Sequence, residues 1–241
     1  MKYLPLILLV PLFATLPAFS QTPSGADALP VTGWTVIGDK SKGYGPKEES
    51  GAILFAGSGF GDKGKTMAAV FPKTTLDDGQ ALELSAKVTF TGVSGQGNFR
   101  FGIFKRRSLD HPRGWLGYCA YAGIDKRFPK GGLYGSQPEN DADFDASTAR
   151  LLGEATGAFR NIKDGSYNIT MRLSKVSAGI ECVATMSPVD DPSKPVMEYT
   201  VMDDAPTTLQ FDSLGFSTHQ LLSTDSFELN DVVLQVTSSA K

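Results

Sequence analysis

The chain has 241 residues, 41% apolar and 20% charged, with 26 Gly and 14 Pro, which is the make-up of a globular protein and not of a disordered or collagen-like one. Lys plus Arg is 23 and Asp plus Glu is 26, so the net charge is −3, which argues against a nucleic-acid partner, since phosphate binding needs a basic surface. Two Cys and two His also argue against a thiolate zinc site, which usually takes four such ligands.

Taken in chain order, the first segment reads as a secretory leader. Lys2 supplies a positive start, Leu4 to Leu16 form an apolar stretch, and Ala18-Phe19-Ser20 gives the small-x-small pattern of a cleavage site. The stretch is shorter than the roughly 20 residues of a spanning helix. The sequence therefore predicts residues 1–20 as a signal peptide, export to the periplasm or the extracellular space, and no transmembrane segment in the mature protein. Residues 21–30 read as a flexible lead-in, 31–237 as a single domain and 238–241 as a tail.

Period-2 alternation dominates the rest of the chain. Leu82, Leu84, Ala86, Val88 and Phe90 point one way while Ala81, Glu83, Ser85, Lys87 and Thr89 point the other, the mark of a strand with one wet face. Similar runs cover Trp34–Ile37, Ala52–Phe55, Thr66–Phe71, Asn98–Lys105 and Trp115–Ala122, then Tyr167–Leu173, Ile180–Met186, Glu198–Met202, Thr208–Ser217 and Ser226–Val236. Turn signals such as Asp78-Gly79, Gly95-Gln96-Gly97, Asp164-Gly165 and Ala178-Gly179 separate them. The pattern predicts an all-β, two-sheet antiparallel sandwich of the jelly-roll kind. Gly123 to Asn161 reads as a long loop, with a short helix at Ala146–Leu152 capped by Asp145.

Two blocks carry a resemblance. Thr75–Leu84 leads into Phe99-Arg100-Phe101-Gly102-Ile103-Phe104, and Leu209–Phe216 precedes Phe227-Glu228-Leu229-Asn230-Asp231-Val232. Together they resemble exported bacterial domains of the concanavalin A-like lectin and glucanase superfamily, including laminin G-like members. The resemblance implies a jelly roll whose final strand returns beside the first, and a calcium ion as a possible structural ion; no cofactor is required. The Glu-x-Asp-x-x-Glu strand of retaining glucanases is absent, as is the Gln-x-His strand of alginate-lyase jelly rolls.

The candidate binding residues lie between Asn98 and Tyr134. Alternation puts Phe99, Phe101 and Ile103 on one face and Asn98, Arg100, Gly102 and Phe104 on the other, so Arg100 offers a guanidinium fork for a carboxylate, sulfate or sugar hydroxyl. On the next strand Trp115, Gly117, Cys119 and Tyr121 share one face; Cys119 suggests that this set is core, leaving Tyr118 in the groove beside Arg100 and Tyr121 emerging at the strand end. Aromatic rings offer flat platforms for the apolar face of a sugar, and Tyr134 in the long loop joins that set. His111 and His219 are loop histidines in reach of neutral-pH titration, Asp190-Asp191 reads as a turn, and Asp141, Asp143 and Asp145 lack the rest of an EF-hand pattern. Asp231 is a metal candidate by position. Cys119 and Cys182 allow either one disulfide, natural in an oxidising compartment, or two buried thiols.

These readings converge on a secreted, lectin-like jelly-roll domain that binds a poly- or oligosaccharide in a concave groove without catalysis. The alternatives are a polysaccharide lyase or glycoside hydrolase on the same fold, and a structural or adhesion module of the cell surface.

Overall fold

A computed structural model describes residues 26–37, 47–49, 52–56, 66–95, 97–107, 115–123, 132–135, 150–153, 160–219 and 222–238. Fifteen strands occupy them: β1 Asp27–Leu29, β2 Thr32–Ile37, β3 Lys47–Glu49, β4 Ala52–Ala56, β5 Thr66–Thr75, β6 Gln80–Thr91, β7 Asn98–Lys105, β8 Leu116–Ala122, β9 Gly132–Gly135, β10 Arg150–Gly153, β11 Gly165–Val176, β12 Gly179–Pro188, β13 Met197–Asp203, β14 Gln210–His219 and β15 Ser226–Ser238. They pair into two sheets. Sheet A runs β13-β12-β11-β6-β15-β4-β3, with β1 also on β15, and sheet B runs β10-β9-β8-β7-β14-β5-β2. Every pairing between these strands is antiparallel.

The alternation in β6 sets the sandwich. Leu82, Leu84, Val88 and Phe90 are buried against the other sheet, while Glu83, Ser85, Lys87 and Thr89 are part-exposed on the far face. Ile169, Met171 and Leu173 extend that inner face from β11, and Phe99, Phe101, Ile103, Leu214 and Phe216 meet it from sheet B. Phe90 stands edge-on to Phe99 at 5.2 Å, and Phe99 edge-on to Phe227 at 5.8 Å, so rings of both sheets interlock at the centre. Each such buried side chain contributes about 1.5–3 kcal/mol, so this aromatic layer and the aliphatic residues around it stabilise the sandwich together.

Breaks in alternation have local causes. Pro72 cannot donate to a ladder, and the β5–β14 register shifts beside it, between Phe211 and Ser213. On β15 the register shifts between Asn230 and Val233, and there Asp231 adopts φ 52°. That bulge divides one edge of β15, which pairs with β4 before it and with β1 after it. Residue 231 thus sits where short polar side chains tolerate left-handed backbone, and this accounts for an aspartate there.

Four strands depart from the sequence expectation. Asp27–Leu29, read as part of a flexible lead-in, forms β1 against Leu234–Val236. The segment read as one long loop contributes β9 and β10, which pair with each other and extend sheet B. Arg150–Leu152, expected as the end of a short helix, is extended strand instead. Lys47–Glu49 adds β3 at the edge of sheet A. The leader, residues 141–149 and His111 lie outside the described residues.

Candidate functional site

Sheet B presents a second buried face. In an antiparallel pair, residues in direct register project to the same side. Arg100 pairs with Tyr121, Gly102 with Cys119 and Phe104 with Gly117, whereas Ile103 pairs with Tyr118 and Phe101 with Ala120. The expected facing of β8 is therefore reversed. Tyr118 belongs to the inner layer with Ala120 and Ala122, and Tyr121 stands on the outer face beside Arg100. The sequence hid this because both faces of β7 and β8 are buried, so neither shows the wet alternation that would reveal which is core.

Asn98, Arg100 and Tyr121 come together on that outer face. The Arg100 Nε donates to Asn98 Oδ1 at 2.9 Å, and its guanidinium carbon lies 4.1 Å from the centre of the Tyr121 ring. Trp115 packs on Phe104 on the same face, with ring centres 5.7 Å apart. Tyr134 is not in a loop but on β9, in register with Cys119. All of Asn98, Arg100, Trp115 and Tyr121 are at most 1% exposed, so the groove expected over them is closed and leaves a ligand no surface of theirs to touch. A desolvated guanidinium is strongly held by a ring and a side-chain acceptor, and here that geometry fixes β7 to β8.

Tyr118 has a different task. Its hydroxyl crosses the inner space to donate to Asp203 Oδ2 on β13 at 2.8 Å, while Asp203 Oδ1 accepts the Ala205 N–H at 3.1 Å. A carboxylate only 2% exposed thus ties the two sheets together near one edge. On the same edge Gly153 of β10 approaches Val201 so closely that a Cβ there would lie 2.2 Å from a Val201 methyl.

The cysteines are free thiols and both are buried, which corrects the possible disulfide. Cys119 faces outward from sheet B in register with Gly102, whereas Cys182 lies in the inner layer of sheet A, so a whole sheet separates them. Burial pushes the Cys119 thiol up to about 12, against a smaller lowering by Arg100, and burial also raises Cys182. Both are protonated at neutral pH and are poor nucleophiles.

An accessible cleft opens elsewhere. At the end of the sandwich where β11 begins and β12 ends, residues 160–167 and 188–194 enclose about 590 Å³. Its lining is mixed: Arg160, Lys163, Lys194, Asp164, Asp190 and Asp191 share it with the apolar Pro188 and Val189. Both walls are pinned. The Lys163 N–H donates to the Tyr167 hydroxyl at 3.0 Å, which donates back to the Lys163 carbonyl at 3.1 Å. Burial is the main reason the Tyr167 hydroxyl titrates above its ordinary value. Opposite, Asp191 accepts from Ser193 Oγ at 2.6 Å and pairs with Lys194. These partners, Lys194 first, lower its carboxyl below the ordinary value and keep it charged. The sequence marked 164–165 and 190–191 as turns; the chain bends at Asp164 and Asp190, while Gly165 already opens β11, and no periodicity signals that the two segments will line one cleft.

The pairing scheme matches solved structures. Lectin I from Ulex europaeus, in complex with the methyl glycoside of α-L-fucose, aligns with 85% of this chain and 92% of its own at a TM-score of 0.54 and 13% identity. The VIP36 exoplasmic/lumenal domain, in a Ca2+/Man3GlcNAc-bound form, aligns with 86% of this chain and 84% of its own, at 0.52 and 12%. Lectin UEA-II, complexed with galactose, aligns with 91% of this chain and 100% of its own, at 0.51 and 9%. This is the concanavalin A-like lectin fold. No family model matches the sequence, and no curated protein does.

In this concanavalin A-like sandwich the expected return of the last strand to the first is the β15–β1 pair. Among the described residues no group of three or more His, Cys, Asp or Glu is placed to hold a metal. Asp231 is accounted for by its bulge, and its neighbour Asn230 donates to Glu228 at 2.8 Å. The described donors therefore do not fit a calcium ion at Asp231. Among the described residues, no helix is long and apolar enough to cross a membrane.

Proposed function

We propose that this chain is an exported lectin-like module that binds a poly- or oligosaccharide and releases it chemically unchanged. The observation that carries the reading is the fold, shared over most of each chain with proteins whose structures hold a fucoside, galactose or a mannose-containing oligosaccharide. Two features of this chain support binding over turnover. Both thiols are protonated and so are poor nucleophiles, and the Arg100–Tyr121 pair is buried away from substrate.

On this reading Asn98, Arg100, Trp115 and Tyr121 support ligand binding as buried positioning residues of sheet B, and Tyr134 belongs to the same sheet on the neighbouring strand β9. Tyr118 plays no part in ligand contact. The leader of residues 1–20 directs the protein out of the cytoplasm. The test is retention of the secreted chain on immobilised neutral and acidic polysaccharides, read together with absorbance near 235 nm. Retention with flat absorbance supports the proposal; rising absorbance, the sign of an unsaturated uronate, would replace it with a lyase.

A further inference from the structure

We propose that the cleft between residues 160–167 and 188–194 is a saccharide site for a neutral, hydroxyl-rich ring, separate from the closed outer face of sheet B; the inference rests on the carbohydrate-binding reading above. Its volume of about 590 Å³ is within the range of small-molecule sites, about 300–1,000 Å³.

The lining selects the ligand. Three cations and three carboxylates face the space, so the wall carries no net charge and offers an anion no field advantage. Six charged groups also make it costly to dry with a purely apolar guest. A sugar ring meets both conditions. Its hydroxyls donate to carboxylates and accept from ammonium and guanidinium groups, and such bonds to charged partners are the stronger kind. Its C–H face needs an apolar patch, and Val189, 45% exposed and part of the lining, supplies one.

The site is also pre-shaped. The Val189 N–H donates to the Ser166 carbonyl at 2.9 Å, Lys194 N–H closes the turn on the Asp191 carbonyl at 3.1 Å, and Asp164 accepts the Val93 N–H at 2.6 Å. These bonds hold both walls before any ligand arrives, so binding spends little on ordering them. Asp164 and Asp191 are thereby engaged in holding the walls. Asp190, Lys163 and Arg160 are exposed and face the open space, and they are the groups assigned to the sugar hydroxyls.

The experiment is calorimetric titration of the full secreted chain with methyl glycosides of glucose, galactose, mannose and fucose, with the corresponding disaccharides, and with glucuronic acid as the anionic comparator. Asp190→Asn and Lys163→Ala are expected to weaken the best neutral ligand at least fivefold, while Arg172→Ala, on the outer face of sheet A, leaves its affinity unchanged. Val189 methyl resonances are expected to shift on titration with that same glycoside. Binding that survives both cleft variants with unmoved Val189 signals would overturn the cleft and leave carbohydrate binding standing. Preference for glucuronic acid, lost in Lys163→Ala, would overturn the neutral class. No binding by any probe would overturn both proposals together.

Discussion

Replacing Tyr118 by Phe removes one hydroxyl and nothing else. The ring keeps its place against Phe211, 6.3 Å away between centres, so no cavity opens. What is lost is an O–H donor to Asp203, a carboxylate 2% exposed that spans from sheet A to sheet B at 2.8 Å. A buried hydrogen bond to a charged group contributes about 1.5–3 kcal/mol, and its loss leaves the acceptor less well solvated than it would be in water. For a domain of this size about 1 kcal/mol lowers Tm by roughly 2–4 °C, so the variant is expected to melt about 3–12 °C earlier. Urea unfolding of the wild type, Tyr118→Phe, Asp203→Asn and the double variant measures the pairwise term, expected at about 1–3 kcal/mol. Saccharide affinity should stay unchanged, because the hydroxyl faces the inner layer. A stability loss below about 0.5 kcal/mol, or a loss of affinity without loss of stability, would refute the placement of Tyr118 as a cross-sheet tie.

The buried thiols, the tight glycine and the 189–194 turn give further tests. Iodoacetamide at neutral pH should label neither Cys119 nor Cys182 in the native protein and both after denaturation, since burial holds them as thiols; native labelling, or an intact mass two hydrogens short, would contradict this. Gly102→Ala should abolish soluble expression or cost about 3 kcal/mol, because its Cβ would lie 2.2 Å from the Tyr118 carbonyl oxygen and 2.5 Å from the Phe104 ring. The Asp191 carboxyl, followed by its 13C shift, should titrate below 3.8, and Lys194→Ala should move it back toward that value. A folded-state value depressed in this way contributes stability above the unfolded value and loses it as pH falls through the folded one. The contribution of Asp191 to the 189–194 turn should therefore be complete well above 3.8 and decline as pH falls below that value toward the folded one.

The long strands are legible in the sequence because they carry enough positions to show a period. β6, β11, β12 and β15 bury alternate apolar side chains along ten or more residues, β7 is apolar on one face throughout, and each lies within a few residues of its predicted bounds. β1, β3, β9 and β10 have three or four residues, too few to distinguish a strand from a loop. That Asn98 and Arg100 share a face is legible from alternation, but the pairing of Arg100 with Tyr121 needs the β7–β8 register, and their burial is not legible at all. Arg100 reads as a surface cation in one dimension, and only the Tyr121 ring beneath it and the covered outer face of sheet B show it to be structural. Alternation misplaces Tyr118 because a buried cysteine does not mark the inner layer when both faces of the sheet are dry. The cleft joins residues nearly thirty positions apart in sequence, and the β11–β12 pairing alone brings them face to face.

Binding without turnover on a concanavalin A-like scaffold is tested most directly by incubating the secreted chain with the saccharide that it retains best, then recovering that saccharide and weighing it by mass spectrometry. Saturable binding is expected, with the ligand recovered at its original mass and chain length after prolonged incubation. Shortened chains, new reducing ends or products lighter by one water per cleavage would contradict binding without turnover and make the protein an enzyme.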